Sequence, residues 1–153
     1  MKHRIYVDTS VFGGYFDEEF EEYSKKFFSK VSETGSIILL SNVALDEIAD
    51  APNRVQDFVQ ALPSKNIEKV TLADESKNLA LKYIEEKVVG ETSLADCFHI
   101  AIATIEKADL LVSWNFKHIV NIDRIRGYNG VNLICGYPTI EIRNPREAFD
   151  YED

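Results

Sequence analysis

The sequence is short of the residues that build small extracellular scaffolds. It holds two cysteines, Cys97 and Cys135, in 153 residues. Two are too few for a disulfide framework or a cysteine-rich zinc site, and both lie in apolar surroundings, so they read as buried free thiols. Proline and glycine are sparse, four and seven, and no stretch is rich in Gly, Ser or Pro. No internal repeat, low-complexity tract or linker breaks the chain. No apolar run approaches the ~20 residues of a membrane span. The opening "MKHRIYVD" has charge but no apolar segment behind it, so the sequence predicts neither a leader nor a membrane anchor and places the chain in the cytoplasm. Positive charge is also in deficit: 17 Lys and Arg stand against 26 Asp and Glu, a net charge of −9. Such a field repels nucleic acid at long range. Any role on RNA or DNA must rest on a local basic patch, a metal ion or a basic partner.

What is present is enough for a core. The chain is 45% hydrophobic, which excludes a disordered protein, and its length suits one domain. We read residues 1–148 as that domain and the acidic "FDYED", 149–153, as a flexible tail. Ile5 to Val7, "SIILLSN", "DLLVS" and "NLIC" read as strands, with a shorter strand-like "IEKVTL". Helical spacing predicts a helix from Glu18 to Glu33 closing at Gly35, then "NVALDEIAD", then a helix with Pro52 in its first turn ending before Pro63. A long helix follows from about Ala73 to Val89, stopping at Gly90. "SLADCFHIAIATIEKA" is apolar on most sides and therefore central. Continuously apolar strands alternating with helices predict an α/β chain, a central and mainly parallel sheet of four to five strands flanked by helices in an α/β/α sandwich.

In such folds ligands bind beyond the carboxyl ends of the strands, and four polar residues fall there. Asp8 directly follows Ile5-Tyr6-Val7, with Thr9 and Ser10 behind it; capping of the next turn accounts for it as readily as a site does. Glu47 lies on the inward stripe of Val43, Ala44, Ile48 and Ala51, whereas Asp46 and Asp50 fall on another face. A carboxylate facing a core is costly unless paired, neutralised or bound to a cation. A basic partner, or a rim position that reaches water, is the plain alternative. Asp96 opens the most apolar helix. Ser93-x-x-Asp96 matches a capping box, an acid there gains from the helix dipole, and the same position can point a carboxylate outward. Asn115 follows its strand as Asp8 follows the first, and it also reads as the cap of a short helix, "FKHIVN". Together the four converge on one sheet edge. Three clustered carboxylates repel one another unless a cation holds them, and hard oxygen donors suit Mg²⁺ or Mn²⁺ better than zinc.

These residues carry a resemblance. "YVDTSVF", "SNVALDEI", "SLADCFHIAIA" and "LLVSWNFKHI", in that order and followed by "NLICGYPTIEI", resemble the PIN-domain ribonucleases, especially the VapC-like toxins of toxin–antitoxin pairs. The resemblance covers nearly the whole chain. It implies a PIN-like sandwich and Mg²⁺- or Mn²⁺-dependent hydrolysis of RNA phosphodiesters. It assigns Asp8, Glu47 and Asp96 to the ion, and sets Ser10 beside the first acid. Asn115 stands where many members have a fourth Asp. An amide oxygen can ligate or hold a water but cannot act as a base, so a single ion is favoured over a tight two-metal site. Ser10, Ser113, Lys117 and His118 are expected to position substrate, although Lys117 also reads as a solvated lysine and His118 as a packing histidine. His99, three residues after Asp96, reads as a hydrogen-bonding or packing residue rather than a ligand.

The resemblance also implies partners. One is an antitoxin with a basic C-terminal segment, which the charge of −9 suits. Another is a second copy of the chain, for which Phe12, Tyr15, Phe16 and Phe20 are candidate contacts, with ordinary core burial as the simpler account. Two rivals stand beside the nuclease. One is a catalytically weakened protein of this fold acting as a binding module, supported by Asn115. The other is a receiver-like phosphorelay domain, which lacks its acid pair here because Thr9 follows Asp8 and "SIILLSN" ends without an acid.

Overall fold

The structure, a computed structural model, describes residues 2–152. In chain order the elements are β1 (Arg4–Val7), α1 (Thr9–Gly14), α2 (Glu21–Thr34), β2 (Ile37–Ser41), α3 (Asn42–Ala49), α4 (Asn53–Ala61), β3 (Ile67–Val70), α5 (Asp74–Glu85), α6 (Leu94–Ile105), β4 (Leu110–Val112), α7 (Ile122–Ile134), β5 (Ile142–Arg143) and α8 (Pro145–Ala148). The strands form one parallel sheet in the order β3-β2-β1-β4-β5. Successive side chains alternate across it. Tyr6, Leu39 and Leu111 pack on α5, α6 and α7; Ile5, Val7, Ile38, Leu40, Leu110 and Val112 pack with α1 to α4 and Trp114. This is the expected α/β/α sandwich. The strand order reverses direction between β1 and β4, so their carboxyl ends open a crevice there. No helix among the described residues is long and apolar enough to cross a membrane.

Several local expectations need correction. "NLIC" is not a strand but the end of α7. Tyr128, Val131 and Asn132 are its buried face, while Leu133 and Ile134 are exposed, so the apolar run misled because its polar member is the inward one. Asn132 accepts from the Tyr83 hydroxyl and donates to Thr104 Oγ1. The fifth strand is instead Ile142–Arg143. Cys97 is buried as expected, but Cys135 is exposed. The tail is docked further than its charge suggests. Phe149 lies 5.8 Å from Phe27, ring to ring, and Tyr151 lies 5.8 Å from Tyr23; Asp153 lies outside the described residues. Of the four aromatic candidates for an interface, Phe12 is fully buried, and Tyr15, Phe16 and Phe20 are partly buried against the same core.

One close approach holds the segment that follows β4. The Trp114 indole N–H donates to Ser24 Oγ at 2.8 Å, and Phe20 stacks on the ring at 4.5 Å. A Cβ on Gly14 would lie 2.8 Å from both the Ser24 hydroxyl and the indole nitrogen. Glycine lets α1 close against Trp114, which anchors the segment carrying Ser113 and Asn115.

Candidate active site

β1 runs out at the crevice with its last ladder bond intact: Asp8 N–H donates to Val112 O at 3.0 Å. Asp8 precedes α1, yet its side chain makes no capping bond. The carboxylate is used otherwise. Its Oδ2 accepts from the hydroxyls of Ser10, at 2.6 Å, and Ser113, at 2.8 Å. At 6% exposure an ionised carboxylate needs such donors. Both hydroxyls also accept backbone bonds, Ser10 from Trp114 N–H and Ser113 from Asn115 N–H, each at 2.9 Å. The two strand ends are thereby laced together, and the hydroxyl protons expected to meet substrate are committed to Asp8.

Glu47 enters from α3. Ser41 caps that helix by accepting from Ala44 N–H at 3.0 Å. The Glu47 side chain is 38% exposed, a rim position. Its Oε1 accepts from Thr9 Oγ1 at 2.7 Å and meets His99 Nε2 at 2.6 Å. Burial acts to raise its pKa, but the hydrogen bond and charge of His99, with the Thr9 hydroxyl, outweigh burial and hold the carboxyl below the usual range. His99 is 1% exposed. Burial alone would lower its imidazole, yet the bond to Glu47 and the charges of Asp8, Glu47 and Asp96 raise it. Its other nitrogen, Nδ1, meets the Tyr6 hydroxyl at 2.6 Å, and Tyr6 meets Ser41 Oγ at 2.7 Å.

Asp96 sits in the first turn of α6. The expected capping box is not formed: Ser93 lies at φ −99°, ψ 20°, outside the extended conformation of a capping serine, and its hydroxyl makes no cap bond. Burial of the Asp96 carboxyl and the neighbouring charge of Asp8 raise it above the usual range, against weaker pulls from His118 and His99. Asn115 Nδ2 donates to Asp96 Oδ1 at 3.3 Å. Asn115 Oδ1 accepts from the backbone N–H groups of Lys117, at 3.2 Å, and His118, at 2.9 Å. The expected helix "FKHIVN" is a turn, but Asn115 caps it all the same. Its amide therefore serves both ends: the oxygen closes the turn and the nitrogen faces the acid. That oxygen reaches an ion only by releasing the turn.

The structure brings Asp8, Glu47 and His99 together, with one donor atom from each lying within 4.8 Å of the others. Asp96 stands beside this group rather than in it, touching Asn115. Lys117 is exposed and His118 half-buried. The donor set, two carboxylates with a third acid adjacent and an imidazole whose nitrogens already meet Glu47 and Tyr6, fits a divalent cation held by oxygen. Sequence reasoning missed Tyr6, Thr9 and Ser41. The signal for Tyr6 was strand alternation, which turns it toward the helix that carries His99.

Residues 5–119 match the family model described as PIN domain. No curated protein matches the sequence. Among solved structures the chain is similar to VapBC2 from Rickettsia felis bound to a DNA fragment from its promoter, at 14% identity and a TM-score of 0.58, covering 92% of this chain and 98% of that one. It is similar to VapC20 of Mycobacterium tuberculosis, a Sarcin-Ricin loop cleaving toxin, at 14% identity and a TM-score of 0.58, covering 74% and 91%. FitAcB from Neisseria gonorrhoeae aligns at 11% identity with a TM-score of 0.57, over 94% and 99%.

Proposed function

The chain belongs to the PIN-domain family, and from that premise we propose that it is a divalent-metal-dependent ribonuclease, the toxin of a toxin–antitoxin pair. One observation carries the reading: Asp8 and Glu47 converge with His99 within 4.8 Å at the strand-end crevice, with Asp96 alongside. Asp8, Glu47 and Asp96 would hold Mg²⁺ or Mn²⁺. When bound, the ion supplies charge to polarise a phosphate oxygen and to lower the pKa of water. Asp8 is fixed by the two serine hydroxyls. Glu47 would ligate the ion, or orient and deprotonate the attacking water, through its free carboxylate oxygen. Burial and the charge of Asp8 hold the Asp96 carboxyl above its usual range, and a cation bound there would offset that repulsion. Lys117, exposed next to Asn115, contacts the RNA backbone. Ser10 and Ser113 serve the substrate indirectly, by aiming Asp8.

The acidic chain suits a basic antitoxin segment lying in this crevice, and a homodimer in the cytoplasm is the working assembly. A second reading, binding without cleavage, draws on Asn115, whose oxygen is committed to backbone donors. Cleavage of RNA with and without Mg²⁺ or Mn²⁺ separates the two. We expect metal-dependent cleavage by wild type and its loss in Asp8→Ala, Glu47→Ala and Asp96→Ala; equal cleavage by all four contradicts the site.

A further inference from the structure

His99 is an unusual occupant of its place. It lies on the most apolar helix of the chain, among buried Cys97, Ile100 and Ala101, and is itself 1% exposed. A hydrocarbon side chain would fill that space without the desolvation cost of an imidazole. Both ring nitrogens are partnered at 2.6 Å, so the cost is met, but the partners differ in kind. On one side lies the buried pair Tyr6 and Ser41. On the other lies Glu47, whose side chain is 38% exposed. At that rim water covers part of the carboxylate, while burial of the rest acts to raise its pKa. The bond to His99 offsets that burial and, in addition, fixes a side chain that is otherwise free to rotate.

The bonds close a circuit. Ala44 N–H donates to Ser41 Oγ; Ser41 meets Tyr6, Tyr6 meets His99 Nδ1, and His99 Nε2 meets Glu47 Oε1. Ala44 and Glu47 belong to the same helix, α3. One donor direction satisfies every member: Ser41 O–H to Tyr6, Tyr6 O–H to Nδ1, and Nε2–H to Glu47. The ring ties α3 to β1 and α6 and sets both the helix start and the Glu47 rotamer. Thr9 adds a second donor to the same Oε1. Among the described residues no donor reaches Oε2. Asp8 follows the same pattern, with Oδ2 held by two hydroxyls and Oδ1 meeting only His99 Nε2, at the longer distance of 3.5 Å.

We propose that His99, backed by Tyr6 and Ser41, is a positioning residue that tethers one oxygen of Glu47 and leaves the other for the cation or its water. The proposal rests on the reading of this crevice as a cation site. It assigns Glu47 a single working oxygen, and it makes two buried residues that hydrogen-bond neither crevice acid, Tyr6 and Ser41, determinants of metal affinity.

Calorimetric titration of Mn²⁺ into wild type, His99→Leu, His99→Gln and Tyr6→Phe tests it, with melts of each metal-free protein in parallel. Partners that orient metal ligands typically change affinity by about 10- to 100-fold when removed. His99→Leu is expected to weaken Mn²⁺ by at least about tenfold on that scale. His99→Gln, which keeps an N–H donor near the Nε2 position, recovers most of the loss. Tyr6→Phe, nearly isosteric, gives an intermediate loss of about threefold, judged against the same range. In a Glu47→Ala background the His99 changes have no further effect. In metal-free wild type, at a pH above the folded value of the imidazole, ¹⁵N shifts show Nε2 protonated and Nδ1 bare, and Tyr6→Phe perturbs Nδ1. Lower melting temperatures with unchanged affinity would reduce His99 to a packing residue, and tighter Mn²⁺ binding in His99→Leu would make it a competitor of the ion; either overturns the proposal. Wild type that binds Mn²⁺ but cleaves no RNA overturns the ribonuclease reading and leaves the tether standing. Wild type that cleaves RNA while all four proteins bind alike does the reverse. Absence of Mn²⁺ binding by wild type overturns both.

Discussion

The two halves of the crevice are built to different tolerances. On one side, Asp8 and Glu47 are each held by two donors at 2.6 to 2.8 Å. On the other, Asp96 has a single amide donor at 3.3 Å, from a side chain whose oxygen is busy closing a turn. Short bonds to charged groups are the strong ones. The first half is preorganised before any ion arrives; the second has slack. A rigid pair beside an adjustable acid binds a cation firmly on one side and adapts on the other.

Breaking the rigid half has the largest expected effect. Asp8→Ala removes a ligand and takes from two hydroxyls the acceptor of their protons, and Mn²⁺ affinity should fall on the order of 100-fold, the upper end for metal-site changes; titration calorimetry reads it. Ser113→Ala comes next. It strips one donor from Asp8 and leaves the Asn115 N–H without its acceptor. Leaving a buried donor unmet costs about 1–3 kcal/mol, so chemical denaturation should show that loss together with weaker Mn²⁺ binding. Asn115→Asp sharpens the slack half. The carboxylate can still cap the turn, but it faces Asp96 with like charge. We expect tighter Mn²⁺ binding by several-fold, within the range for such neighbours; unchanged binding returns residue 115 to a cap alone.

A smaller effect follows from the His99–Glu47 bond in metal-free protein. The raised imidazole contributes stability in full below its ordinary value of 6.5 and loses it as the pH climbs through its folded value. The lowered carboxyl contributes above its ordinary value of 4.5 and loses it as the pH falls through its folded value. The melting temperature of wild type minus that of His99→Gln, in chelator, should therefore be greatest between about pH 4.5 and 6.5 and shrink on both sides. Lys117→Ala should do least, raising KM for RNA by about two- to threefold, as for one exposed charge, with an unchanged melt.

The rigid half was also the more legible. Asp8 announces itself because Ile5 to Val7 can only be a strand, and Glu47 because it interrupts an apolar stripe. What those acids touch was not legible. Tyr6 and Ser41 are 35 residues apart, and His99 is 93 from Tyr6; only the sheet order brings them together. The slack half resisted for a different reason. Asn115 caps and faces an acid at once, and sequence cannot divide one amide between two tasks. The sheet's far edge failed where length failed: β5 is two residues long with Arg143 exposed, too short for a period, while exposed Leu133 and Ile134 mimicked a strand.

The contrast between the halves comes down to one comparison: Mn²⁺ affinity in Glu47→Gln against Asp96→Asn. Each removes one charge with little change in shape. Glu47→Gln is expected to lose far more affinity than Asp96→Asn, which weakens binding but keeps a single site. Equal losses, or a larger loss in Asp96→Asn, would contradict the assignment of the ion to the Asp8–Glu47 side.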